Sequence, residues 1–219
     1  MQLIKNLSEY LTKSLDGNSI KDAINTASIE GTSSAGTNRE EIFTRDYLCP
    51  VMRNYFMVEA RPMLDLTNDE IDAGLGTEGY TKCEGYSFTP AKKPRHILGK
   101  DDISRPMPPT DWLKWGPDTL RPYQPCPDFA FYDPLPRVVG EVKYFMGGSE
   151  DKALKDFYAV AKEAVFYLGV FNGIYDAALI VIADASEDAA MYKMLDIIKP
   201  ELLARFGRDA GVYLSVVRI

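Results

Sequence analysis

The sequence is poor in the residues that common metalloenzymes and nucleotide machines rely on. It has one histidine, His96, which excludes chemistry built on histidine pairs as metal ligands, bases or proton relays. The three cysteines, Cys49, Cys83 and Cys126, are odd in number and far apart. They form neither a disulfide framework nor a zinc pattern and read as reduced, structural thiols. No apolar run approaches the roughly 18 residues of a membrane span, and the N-terminus lacks the basic start and apolar stretch of a signal peptide. A cytoplasmic protein without membrane contact is therefore expected. A basic excess is missing as well: the formal net charge is −7, so any contact with nucleic acid must be local. No GxxxxGK[ST] sequence occurs, hence there is no sign of an ATP-driven motor.

What is there suits one folded domain. Hydrophobic residues make up 46% and charged residues 26% of 219 positions, enough for a single α/β domain spanning 1–219. Leu3, Leu7, Leu11 and Leu15 recur at helical spacing, and a second helix is expected over 19–29, giving an N-terminal helical arm over 1–30. The leucine face offers a homodimer interface as readily as a face for packing on its own domain. After a small-residue loop over 31–37, Asn38 is placed to cap a helix that runs to about residue 56, with a kink at Pro50. Ten of the 14 prolines fall in 57–127, which reads as an irregular region with short strands near 55–64 and 86–88. Within it Lys92, Lys93 and Arg95 form a small basic patch, either a solvated loop or a substrate-contacting one. Beyond it the pattern predicts a hairpin, a helix over 149–169, a buried strand over 177–183, a helix broken at Pro200 and a terminal strand. That order implies a mixed sheet flanked by helices.

Two apparent motifs are set aside. Gly74, Gly76 and Gly79 satisfy GxGxxG, but neither a strand before them nor a helix after them is expected, so they read as a turn-rich loop. Trp112 and Trp115 read as anchors for a loop rather than base-stacking platforms.

The hairpin PCPDFAFYDPLPRVVGEVKYF, 125–145, carries the chemistry. A four-residue loop over 133–136 sets Tyr132 opposite Arg137 and, counting outward, Asp128 opposite Glu141. Side chains alternate, so Phe129, Phe131, Val138, Val142 and Tyr144 share one face, and Asp128, Glu141 and Lys143 share the other. Two carboxylates about 5 Å apart repel and need a cation. Lys143 supplies part of that charge, and a divalent metal would match the hard oxygens of both acids more fully. The simpler alternative is a solvent-facing hairpin whose acids point into water.

Pro127 and Asp128, twelve intervening residues, then Glu141, Val142 and Lys143 resemble the PD-(D/E)XK nuclease superfamily. The family's core runs as a helix bearing an acid, three strands in a meander, a helix and a further strand, an order available here from Asn38 to Ala183. The resemblance implies a restriction-endonuclease-like fold. It also implies hydrolysis of phosphodiester bonds, with DNA as the expected substrate and RNA left open. Asp128 and Glu141 would hold magnesium, with manganese as a substitute and the carbonyl of Val142 as a third ligand. Lys143 would position the attacking water and stabilise charge on the phosphate, since the neighbouring carboxylates favour its charged form. The helix acid would be Glu40, near the centre of the face made by Phe43, Tyr47, Val51 and Tyr55, with Glu41 nearer the edge. Lys155 and Lys162, on the helix after the hairpin, are candidate phosphate contacts. The alternative is a catalytically idle nucleic-acid-binding or interaction module on the same fold. An accidental motif would leave Asp128 and Glu141 pointing in different directions.

Overall fold

The structure, a computed structural model, describes residues 2–15, 17–30, 39–75, 81–83, 86–88, 128–131, 134–170, 175–198 and 200–219. Its helices are α1 (Gln2–Ser14), α2 (Asn18–Glu30), α3 (39–64), α4 (Asn68–Gly74), α5 (Glu150–Val170), α6 (Ala190–Ile197) and α7 (Pro200–Ala210). A small antiparallel sheet pairs β1 (Thr81–Cys83) with β2 (Tyr86–Phe88). The main sheet has the order β3-β4-β5-β6, with β3 Phe129–Phe131, β4 Val138–Phe145, β5 Ala177–Asp184 and β6 Val212–Arg218. The β3 and β4 strands are antiparallel, and β4, β5 and β6 run parallel. A mixed sheet flanked by helices is thus what forms.

Both faces of this sheet are covered. The period of two in β5 sends Leu179, Val181 and Ala183 into a core with Leu7 and Leu11 of α1 and with Phe43, Met52 and Phe56 of α3. It sends Ala178, Ile180 and Ile182 into a second core with Phe157, Val160 and Ala164 of α5 and Met191 of α6. Burial on two faces is why AALIVIAD is apolar without alternation. The leucines of α1 are consumed in the first core, so this segment packs within the chain.

The strand expected near 55–64 is not formed. Residues 39–64 are helical without a break, including two π-helical stretches, Phe43–Leu48 and Tyr55–Ala60. Pro50 and Pro62 each fall two residues after such a stretch. A proline ring in a regular helix collides with the carbonyl four residues earlier. The wider turn relieves that collision, which is why neither proline ends the helix. The β-favouring side chains Tyr55 and Phe56 are buried in the first core, and fully burying a ring of this size contributes about 1.5–3 kcal/mol, more than any strand propensity. Asp65, at φ 53°, closes the helix in the left-handed conformation.

In the hairpin Phe129 pairs with Gly140, Ala130 with Val139 and Phe131 with Val138. This is the register expected from a four-residue loop; just before the paired residues Asp128 donates its N–H to the carbonyl of Gly140 at 2.9 Å rather than pairing with Glu141. The ring of Phe129 lies over Gly140, where a Cβ would stand 2.0 Å from a ring carbon. Glycine is needed there so that the ring can close over the strand. The faces expected of the strand residues hold too: Phe129, Phe131, Val138, Val142 and Tyr144 share the first core, and Glu141, on the other face, looks toward α5 rather than toward open solvent.

Candidate functional site

The site forms because β3 is short. Three residues pair with an eight-residue neighbour, and the N–H groups of Val142 and Tyr144 lie past the end of that pairing. Two carboxylates take them. Asp128 Oδ2 accepts from Val142 N–H at 2.7 Å, and Glu40 Oε2 accepts from Tyr144 N–H at 3.2 Å. Asp128 is itself held by donating its N–H to the carbonyl of Gly140 at 2.9 Å. In a strand the N–H and C=O of one residue point to the same edge, so the Val142 carbonyl is turned toward the edge where Asp128 sits.

Glu141 leaves from β4 toward α5, where Tyr167 Oη donates to its Oε2 at 2.9 Å and Glu163 shares a hydrogen bond with it. Lys143 Nζ lies 3.9 Å from Glu40 Oε2 on a side chain 38% exposed. Four carboxylates, of Glu40, Asp128, Glu141 and Glu163, therefore act on one another. Among the described residues Lys143 is the cation acting on Glu40 and Asp128.

The electrostatics follow from that imbalance. Asp128 is 7% exposed, and burial raises its pKa well above the usual carboxylate range. The charge of Glu40 adds to the rise, and the Val142 N–H partly offsets it. Burial also raises Glu141, with Asp128 and the bond to Glu163 adding to it and the Tyr167 hydroxyl opposing. Glu40 is raised by burial against the pull of Lys143 and the Tyr144 N–H. The Tyr167 phenol is driven far up by burial and by Glu141 beside it. Each acid would give up its proton more readily if a cation stood among them.

No family model, curated protein or solved structure matches this chain.

The expected residues divide into three groups. Asp128, Glu141, Lys143 and Glu40 come together, and Val142 supplies backbone to the same place. Glu40 makes contacts here; the side chain of Glu41 lies outside the described residues, as do Lys92, Lys93 and Arg95. Lys155 and Lys162 are exposed on α5, and the cluster's described bonds run through Glu163 and Tyr167 of that helix instead. Those two residues were missed. The signal was a Glu one turn before a Tyr at the border of the apolar face of α5, the spacing that lets both reach one neighbour.

Among the described residues no group of three or more His, Cys, Asp or Glu side chains could hold a metal ion. The donor set of Asp128, Glu141 and the Val142 carbonyl has two acids only. It is made of hard oxygens, which suits magnesium, an ion commonly held by one or two carboxylates plus water and substrate phosphate.

Proposed function

We propose that this protein is a magnesium-dependent nuclease of the PD-(D/E)XK type, with a restriction-endonuclease-like fold, that hydrolyses phosphodiester bonds in DNA. The observation that carries this reading is the gathering of Glu40, Asp128, Glu141 and Lys143 around the open edge of β4. The element order supports it: α3 bearing the acid, the β3-β4 hairpin, α5, then β5 parallel to β4.

Asp128 and Glu141, with the Val142 carbonyl, would hold the ion. When bound, a divalent ion would draw charge from the phosphoryl oxygens and acidify nearby water. The chain's own groups have distinct tasks. The Val142 N–H fixes the carboxylate of Asp128, and the Tyr144 N–H fixes that of Glu40. The Tyr167 hydroxyl orients Glu141. Lys143, partly exposed, can meet a phosphate oxygen or the attacking water while Glu40 holds it in place.

A second reading is a binding module whose acids only cap the edge of β4. The two bonds from Val142 and Tyr144 favour it, because they satisfy backbone donors whether or not chemistry follows. The test is cleavage of plasmid, linear and single-stranded DNA, and of RNA, with magnesium, manganese or a chelator. Metal-dependent cutting by the wild type that is abolished by Asp128→Ala and by Lys143→Ala is the expected result. DNA binding without cutting under every condition would favour the second reading, and undiminished cutting by Asp128→Ala would refute the first.

A further inference from the structure

The outer side of α5 carries apolar side chains that the second core does not use. Phe157, Val160 and Ala164 face the sheet, whereas Tyr158 is 61% exposed, Val165 46% and Phe166 42%. Among the described residues no other helix exposes three large apolar side chains. At about 100° per residue, Lys155, Tyr158, Lys162, Val165 and Phe166 fall on one arc roughly 100° wide. Tyr158, Lys162 and Phe166 follow one another at four-residue steps, so ring, cation and ring are neighbours along the helix. The ring of Tyr158 rests against that of Phe157, with centroids 5.9 Å apart, which braces it while most of it meets solvent.

The charges between these rings are of one sign. Asp151 shares the arc only in the first turn, and from Lys155 to Gly169 the arc holds no acid. Asp156 and Glu163 lie outside it, Asp156 paired with Lys152 at 3.5 Å and Glu163 hydrogen-bonded with Glu141. Lys155 and Lys162 are exposed and, among the described residues, have no ion-pair partner. A symmetric dimer through this arc would set the same lysines against each other. Single-stranded nucleic acid complements both features, with phosphates for the lysines and open base faces for the rings. A duplex has the phosphates but keeps its base faces stacked inside. The arc also borders the acid cluster, because Phe166 is the i+3 neighbour of Glu163.

We infer that the outer face of α5 binds single-stranded DNA, with Tyr158 and Phe166 stacking on bases and Lys155 and Lys162 meeting phosphates. The choice of DNA rests on the nuclease reading, whose substrate is thereby an unpaired strand. The test is fluorescence anisotropy of the full chain, in chelator, with a labelled single strand and with the duplex of the same sequence. The single strand should bind at least about tenfold tighter than the duplex. Tyr158→Ala and Phe166→Ala should each weaken it about tenfold. Tyr158→Phe should keep the affinity, because the ring remains, and Tyr158→Leu should lose it, because an apolar side chain of similar bulk has no flat face. Lys155→Ala combined with Lys162→Ala should flatten the slope of log affinity against log salt by about 1.4, or about 0.7 for each phosphate. All four side chains are exposed, so every variant should melt close to the wild-type temperature. Equal affinity for the duplex, wild-type binding by Tyr158→Leu, or no saturation of the single strand by about 100 μM protein, the weak end of nonspecific affinities, would each overturn the inference. So would self-association that Phe166→Ala abolishes in a chain that binds no DNA, which would assign the face to a second copy. Binding of the expected kind without cleavage in magnesium would refute the nuclease reading alone, and cleavage with wild-type binding by Tyr158→Ala would refute this inference alone.

Discussion

The two edges of the main sheet face one problem and solve it with different chemistry. At the β6 edge, outward carbonyls receive neutral donors: Ser8 Oγ reaches Leu214 O at 2.8 Å, Tyr192 Oη reaches Val216 O at 2.9 Å, and Gly17 N–H reaches Arg218 O at 3.2 Å. At the β3 end, outward N–H groups of β4 are met by the carboxylates of Asp128 and Glu40. A neutral acceptor, such as an amide oxygen, would close the second edge without bringing like charges together. The charged solution works against stability, and it is what a cation-binding site would require. One edge is closed by neutral partners; the other is left crowded with acids.

Mutations at the two edges should have unequal effects. The largest effect should fall on activity: Asp128→Ala and Lys143→Ala should each lower metal-dependent cleavage by about 100-fold or more, while Ser8→Ala at the opposite edge should cut DNA at the wild-type rate in the same gel assay. Next is Gly140→Ala, which drives a methyl into the Phe129 ring and should cost about 1–3 kcal/mol by overpacking. Chemical denaturation would measure it, and an unchanged midpoint would mean that β3 does not hold Asp128 in the manner described.

The third effect concerns pH. A buried acid whose pKa rises on folding holds its proton in the native state after the unfolded chain has lost it, so stability falls as pH climbs above the ordinary carboxylate value near 4. Without metal, the wild type should therefore melt progressively lower as pH is raised from about 5 to about 8. Asp128→Asn should flatten that decline and raise neutral-pH stability by roughly 1–3 kcal/mol. Added magnesium should stabilise the wild type more than the variant. A steeper decline in Asp128→Asn would contradict the assignment of a charge-crowded edge. The smallest effect is that of Ser8→Ala on stability, about 1 kcal/mol, or roughly 2–4 °C in the thermal midpoint.

Much of this was legible in the sequence, for identifiable reasons. Counting from a loop at 133–136 gave the pairing of Phe129 with Gly140, and the period of two then sorted Phe129 and Phe131 from Glu141; the one-residue offset at Asp128 has no signal in such a count. The approach of Glu40 to β4 was readable because Glu40 shares a helical face with Phe43, although π turns follow it. The failure at 55–64 has an equally physical origin. Tyr, Phe and Val suggest a strand, Pro62 suggests a stop, and nothing in a local pattern reveals that a widened turn can carry a helix past a proline. Glu163 and Tyr167 escaped because their partner lies on another element: Glu141 is 26 residues from Tyr167, and only the packing of α5 on the sheet joins them.

The two widened turns of α3 have a consequence for how such a chain can vary. Each residue of a regular helix advances the face by about 100°. Loss of one residue between 43 and 48 would let the first widened turn tighten and would swing Arg39 and Glu40 by about that angle relative to the buried Leu48 and Met52. The acid would lose Tyr144 with every side chain of the cluster still encoded. In this fold the aim of a carboxylate is stored as a residue count, so a one-codon deletion far from any motif could silence the site.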